Sequence, residues 1–376
     1  MLYNMANELT IAAAGSGKTT RLIKESLNIT DEPILITTYT EANEQEIRNK
    51  FIAINGCVPK NITIQTWFSL LIKHGVKPYQ SYLFDFNMKG LILVSKQSGF
   101  RFKNQAGKPI YYGEDKHFEK HYFSKEHKVY SDKLSKLVIK LNTKSKGKVI
   151  SRLVSIYPHI CIDESQDLAG YDLEIIKLFA KSPANLKLVC DPRQVTYLTH
   201  NSRKHAKYNR GLLEDFINNE CSTQNFLIDK TTLSQSHRCN EYICNYSNKL
   251  YPNITPCSSA QNEETEHDGI YLVKEEDVIE YLESYTPVQL RWNSTVKGVN
   301  KDYLVYNFGM SKGLTFNRVL IYPTKGMLSW MKNHQFSITP ETKAKFYVGI
   351  TRAKFSVGIV CKAYTGILVD GLNHYK

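Results

Sequence analysis

The chain has 376 residues and a formal net charge of +13, with 42% hydrophobic and 23% charged residues. That balance excludes a disordered chain, and no apolar run approaches the roughly 18 residues that cross a bilayer, so no membrane association is expected. The positive surplus favours polyanions, nucleic acid first, and the length fits two or three domains.

In chain order, the stretch Met1–Thr10 carries Glu8 and no basic start, so no signal peptide is expected. Leu9–Ala13 reads as a short strand, Lys18–Ile29 has helical spacing, and Pro33–Tyr39 is a second strand. Glu41–Ile54 reads as a polar helix and Asn61–Thr66 as a third strand. This alternation implies a parallel sheet covered by helices, an α/β fold. From Tyr82 to Lys148 the texture changes: lysines crowd in, with Tyr111, Tyr112, Tyr122, Phe123 and Tyr130 among them, and a mostly helical insertion is expected. Its lysines have two readings, a solvated helical face or a phosphate-tracking groove whose tyrosines stack on bases. The α/β pattern resumes with strands at His159–Asp163 and Leu186–Asp191. A second α/β block runs from Thr232 to the end, broken by a polar loop at Cys257–Gly269. The domain plan is therefore 1–81 and 149–231 as one lobe, 82–148 as a basic insertion, and 232–376 as a second lobe.

The eight cysteines are scattered. Cys239 and Cys244 are the closest pair and no second pair matches them, so zinc is not expected. Cys161 and Cys190 lie inside apolar runs and read as small hydrophobes in a reducing, cytoplasmic setting.

Two motifs carry chemistry. Ala12-Ala13-Ala14-Gly15-Ser16-Gly17-Lys18-Thr19-Thr20 follows a strand and opens a helix, the context of a phosphate-binding loop with Ala in the first position. Small residues let backbone N–H groups wrap a phosphate, helped by the helix N-terminus. Lys18 would neutralise the β- and γ-phosphates of ATP, and Thr19 would ligate Mg²⁺. Downstream, Ile160–Asp167 closes the strand His159–Asp163 in two acids, Asp163 and Glu164. Asp163 is expected to hold the metal and Glu164 to activate the attacking water.

With further segments in the same order, the chain resembles the UvrD/Rep group of superfamily 1 helicases. The matching segments are Thr38–Asn43, Gln65–Ser69, Asp163–Asp167, Asp191–Gln194, Leu233–Arg238, Ser311–Phe316 and Tyr347–Lys354. The resemblance implies two RecA-like P-loop NTPase lobes, ATP and Mg²⁺ as ligands, and a DNA helicase or translocase with 3′-to-5′ polarity. It implies that Gln194 senses the γ-phosphate and that Arg238 and Arg352 act as arginine fingers; for Arg238 a surface ion pair is the competing reading. His237 stands in the base-stacking place, and Gly313 falls in a nucleotide-contacting motif. Thr38, Tyr39, Thr66, Trp67 and Tyr197 would meet single-stranded or tailed DNA.

The pattern also departs from that group. No Gln precedes Ala12 to read adenine, His237 replaces a tyrosine, Thr315 replaces a glutamate, Gly309 replaces a DNA-facing histidine, and Thr199 stands where an aromatic platform is usual. Between Arg238 and Lys312 there is room for sheet elements but no large insertion. This compact form is similar to the helicase-like subunit of Gabija-type anti-phage systems, which implies an OLD-family nuclease as partner. The competing function is a DNA-sensing regulatory ATPase that controls such a nuclease with little unwinding of its own.

Overall fold

A computed structural model describes residues 7–200, 202–364, 366 and 370–376; residues 1–6, on which part of the signal-peptide expectation rests, lie outside the described residues. Packing divides the chain into two units. The first comprises the chain up to Leu9, Thr19–Cys190 and Leu198–Ile228; the second comprises Thr10–Lys18, Asp191–Tyr197 and Asp229–Lys376. The sequence pattern places Thr10–Lys18 and Asp191–Tyr197 in the first lobe. They group with the second unit because they pack on it: Ala13 and Ala14 join a buried cluster with Cys239, Ile243 and Tyr347, and Ala13 N–H donates to Leu233 O at 2.8 Å.

The first unit is built on strands β1 (Asn7–Ile11), β2 (Ile34–Thr38) and β3 (Ile62–Thr66), with helices α1 (Lys18–Leu27), α2 (Glu41–Asn55) and α3 (Trp67–Leu70) after them. Helix α2 starts where Thr40 accepts from Asn43 N–H at 3.1 Å and ends at Gly56, whose φ of +77° supplies the left-handed turn. The insertion follows, with β4 (Gly90–Ile92), β5 (Phe100–Lys103), β6 (Pro109–Tyr111), α4 (Phe118–Tyr122), β7 (Lys128–Tyr130) and α5 (Ser131–Lys144). The unit closes with α6 (Lys148–Ile156), β8 (His159–Ile162), α7 (Tyr171–Ala180), β9 (Asn185–Cys190), α8 (Leu213–Glu220) and β10 (Phe226–Asp229). Its six-stranded sheet has the order β10-β1-β9-β8-β2-β3, and the β2–β3, β2–β8 and β8–β9 pairings are parallel. Register places Ile162 opposite Thr37 and Thr37 opposite Gln65, so the carboxyl ends of β8, β2 and β3 lie level. In an open parallel sheet that edge is where ligands bind.

The expectation of a mostly helical insertion is corrected. Helices cover only Phe118–Tyr122 and Ser131–Lys144, beside a parallel β4–β7 pair and an antiparallel β5–β6 hairpin. The hairpin turns at Asn104–Gly107, where Gly107 has φ +72°, and its strands carry the strand-favouring Phe100, Phe102, Ile110 and Tyr111.

The second unit contains β11 (Gln235–Ser236), α9 (Glu241–Asn248), β12 (Ser258–Ser259), β13 (Gly269–Lys274), α10 (Val278–Tyr285), β14 (Val288–Arg291) and β15 (Val305–Asn307). It ends with β16 (Phe316–Ile321), α11 (Lys325–Lys332), α12 (Pro340–Ile350), β17 (Ala353–Cys361) and β18 (Asn373–His374). Its six-stranded sheet, β15-β14-β16-β17-β13-β18, is parallel at every pairing. The stretch between Arg238 and Lys312 is consumed by sheet and flanking helices, so the second unit carries no large insertion there. The polar loop at 257–269 is less loose than its composition suggests: Ser258–Ser259 pair with β11, and His267 is buried between Tyr271 and Tyr285 at centroid distances of 3.9 and 3.7 Å.

Candidate nucleotide and DNA sites

In the first unit, Thr19 sits in the first turn of α1, and Asp163 directly follows β8. The Thr19 hydroxyl donates to Asp163 Oδ2 at 2.9 Å, and both side chains are buried. The other carboxylate oxygen accepts the Glu164 N–H at 2.9 Å. A hydroxyl and one carboxylate are hard oxygen donors that suit Mg²⁺, which keeps waters and phosphate oxygens for its remaining positions. Among the described residues no cluster of three His, Cys, Asp or Glu could hold a metal, so an ion here would rely on phosphate oxygens. Glu164 is half-buried, accepts from the Gln166 amide, and has φ +56°. A non-glycine residue in the left-handed region carries strain of about 1–3 kcal/mol.

In the second unit, the loop Ala12–Lys18 bends at Gly15 (φ +74°) and Gly17 (φ +81°). The Ser16 hydroxyl closes the turn onto Ala13 O at 2.9 Å. A Cβ on Gly15 would lie 2.6 Å from Arg238 Cβ and 2.7 Å from Ser236 Oγ, so glycine is required there by both backbone and space. His237 N–H donates to Gly15 O at 3.0 Å, and the residue is exposed. Ala14 is buried, while Lys18, Thr20 and Gly313 are half-buried.

Gln194 and Arg352 meet directly. Arg352 Nη2 donates to Gln194 Oε1 at 3.1 Å, Nη1 to Leu314 O at 3.1 Å and Nε to Val348 O at 3.3 Å, with the side chain 1% exposed. Gln194 in turn donates to Asp191 Oδ2 at 2.8 Å. Arg238 is half-buried, and its Nη1 donates to Thr351 O at 3.2 Å. Both arginines are thus anchored to the segment that carries Thr351.

Sequence reasoning missed Arg193. Its Nε donates to Asp191 Oδ1 at 2.8 Å, Nη2 to Ala12 O at 3.1 Å and Nη1 to Thr255 O at 3.4 Å, and its guanidinium lies 5.3 Å from the Tyr347 ring centre. It ties the start of the phosphate loop to the segment of Gln194. Only its place between Asp191 and Gln194 could have signalled this.

Residues 59–206 match the UvrD/REP helicase N-terminal domain. The chain is UvrD/REP-like over that segment. No curated protein sequence matches it. Among solved structures, Arterivirus non-structural protein 10, a helicase, aligns at 16% identity over 97% of this chain and 62% of its own, with a TM-score of 0.48. The same viral helicase in complex with DNA gives 15% identity, 95% and 61% coverage and 0.46. The PRRSV helicase gives 13%, 96% and 54%, and 0.42. The chain therefore spans less than two thirds of the length of these helicases.

The segment that matches the UvrD/REP model holds most of the expected DNA contacts, and several of them are engaged within the fold. Trp67 is 1% exposed, and its indole N–H donates to the buried Asp172 carboxylate at 2.8 Å, so the ring packs in the core. The Thr66 hydroxyl is spent capping α3, accepting from Ser69 N–H at 3.2 Å, and Thr38 is buried. Tyr39 is half-buried with its ring edge-on to Phe68 at 5.2 Å, and burial beside Asp172 and Asp167 pushes its phenol up to about 12. Thr199, which stands where the resemblance would place an aromatic, is a core position whose hydroxyl donates to Asp172. Asp172, unmarked by any motif, is the hub of this network and also takes the Ser135 hydroxyl. Tyr197, in the second unit, is half-buried with Lys312 Nζ 5.1 Å from its ring centre. In the insertion, Lys133 is buried on Ser98 O and His121 O, Lys136 and Lys140 clasp Glu114, and Tyr122 and Phe123 are core. These residues are structural, and a groove-lining role is left to the exposed lysines.

Proposed function

We propose that the chain hydrolyses ATP and works on single-stranded DNA as a translocase or helicase. The observation that carries this reading is the buried Thr19–Asp163 pair at 2.9 Å, with Glu164 beside it, at the first turn of the phosphate-loop helix. Thr19 and Asp163 would hold Mg²⁺, which supplies Lewis-acid stabilisation of phosphate oxygens when bound. Lys18 neutralises phosphate charge. Glu164 takes the proton of the attacking water, and its fixed left-handed backbone limits where that carboxylate can point. Arg352, anchored by Gln194 and two carbonyls, and Arg238 stabilise the charge that spreads over the transferred phosphoryl group.

The net charge of +13 and the UvrD/REP match support DNA as the polymer. The resemblance to UvrD/Rep helicases supplies the 3′-to-5′ polarity, and the Gabija-like plan supplies a setting in anti-phage defence. All eight cysteines are free, which favours a reducing cytoplasm. The second reading is a DNA-sensing ATPase that controls an OLD-family nuclease. It is favoured by the stretch from Arg238 to Lys312, where no duplex-facing subdomain is present among the described residues.

ATP turnover with and without oligothymidylate, beside strand separation on a tailed duplex, tests both readings. Stimulated turnover with robust unwinding supports the helicase, and stimulated turnover with weak unwinding supports the sensor. Turnover indifferent to DNA contradicts the proposed work on DNA.

A further inference from the structure

We infer that the β5–β6 hairpin of the insertion is a stacking platform for single-stranded DNA bases; this rests on the DNA reading above and names a place where the strand is gripped. From Leu93 to Tyr112 the chain has four basic residues, Lys96, Arg101, Lys103 and Lys108, and no acidic one. Phe100 and Phe102 lie on β5 and are 53% and 46% exposed, although aromatic rings of this size normally bury on folding. The ladder slips between these two residues, a bulge of the kind that re-aims a side chain. The Arg101 guanidinium stands 5.4 Å from the Phe102 ring centre and 5.9 Å from that of Tyr112.

Lysines on a short exposed hairpin also discourage strand pairing between molecules. That role does not account for two large aromatic rings left in water beside them. Single-stranded DNA satisfies both features at once: base faces cover the rings, and phosphates meet the unopposed cations. The exposed position matters as well. The sequence-matched Trp67 is buried in the core, whereas the hairpin rings are exposed.

The test uses the full chain, wild type and Phe100→Ala/Phe102→Ala, with oligothymidylate and an abasic strand of equal length. Stacking on one aromatic is worth roughly a factor of five to a hundred in affinity. The double variant is expected to bind oligothymidylate at least about tenfold more weakly, by the same reckoning. It should bind the abasic strand as wild type does and keep its melting temperature and DNA-free ATPase rate. Arg101→Ser/Lys103→Ser/Lys108→Ser should instead weaken both strands and flatten the salt dependence by about two units in slope, at roughly 0.7 per single-strand phosphate contact. Equal oligothymidylate affinity in wild type and the Phe double variant overturns the platform and leaves the DNA reading standing. A wild-type chain that binds neither strand overturns both. Concentration-dependent dimers of wild type that the Phe variant lacks, seen by sedimentation, would assign the rings to self-association and also overturn the platform.

Discussion

Trp67→Phe separates the structural account of this residue from the role that family resemblance implies. The indole N–H donates at 2.8 Å to Asp172, a carboxylate with no solvent exposure that also takes the Ser135 and Thr199 hydroxyls. Phenylalanine keeps the aromatic packing and removes that donor. Losing a hydrogen bond to a buried charged acceptor costs about 1.5–3 kcal/mol, and the smaller ring leaves a void worth about 1 kcal/mol more. The expected loss is therefore about 2–4 kcal/mol of unfolding free energy, by the same principles. Urea unfolding followed by circular dichroism measures it, beside oligothymidylate affinity for the folded variant. The structure predicts lower stability with affinity within about twofold of wild type, since a sealed ring forgoes the several-fold effect of a stacking contact. Unchanged stability with affinity reduced tenfold or more would refute the buried assignment and restore Trp67 as a DNA contact.

Three further outcomes are expected. Arg352→Lys loses the three-way anchorage on Gln194, Leu314 and Val348 and should lower turnover by about a thousandfold while nucleotide still binds; steady-state phosphate release and nucleotide titration check it, and an unchanged rate contradicts the assignment. Arg193→Ala strands the Asp191 carboxylate in the interior and should cost about 3–5 kcal/mol in urea unfolding, with Arg193→Lys recovering part of it; a loss under about 1 kcal/mol, the range of surface pairs, would deny it the tying role. His267, stacked between Tyr271 and Tyr285 within 3.0 Å of the Tyr281 hydroxyl, is held down to about 4 by burial and the nearby Arg318 charge, with Asp268 opposing. The unfolded chain then binds the extra proton first, so stability is full above about pH 6.5 and falls as pH drops towards 4. Melting of the His267→Phe variant should lack that part of the acid loss, and an identical pH profile would contradict the attribution.

What the sequence made legible follows from how local each signal is. The strands Ile34–Thr38, Ile62–Thr66 and His159–Ile162 are short apolar runs between turn residues, and they fold where the pattern places them. The phosphate loop is legible because Gly15 and Gly17 need positive φ and the helix must start at Lys18, all within nine residues of chain. The insertion misled because lysines favour helix on average, while the bulged Phe100–Lys103 strand and its Asn104–Gly107 turn set the local structure. The burial of Trp67 was hidden for a different reason. Which way a tryptophan faces depends on its partner, and here the partner is 105 positions away in Asp172, in a helix that no motif marks. Arg193 was illegible likewise, since its contacts at Ala12 and Thr255 are joined only by folding.

Turnover of ATP by Glu164→Gln tests the central claim most directly. Removing the carboxylate that takes the proton of water should cut Mg²⁺-dependent phosphate release by about 10²–10⁴-fold, while a fluorescent ATP analogue still binds because Lys18, Thr19 and Asp163 remain. Wild-type chain without Mg²⁺ should be equally inactive. Phosphate release at the wild-type rate by Glu164→Gln would contradict the catalytic assignment, and no release by the wild-type chain with Mg²⁺ and single-stranded DNA present would contradict ATP hydrolysis itself.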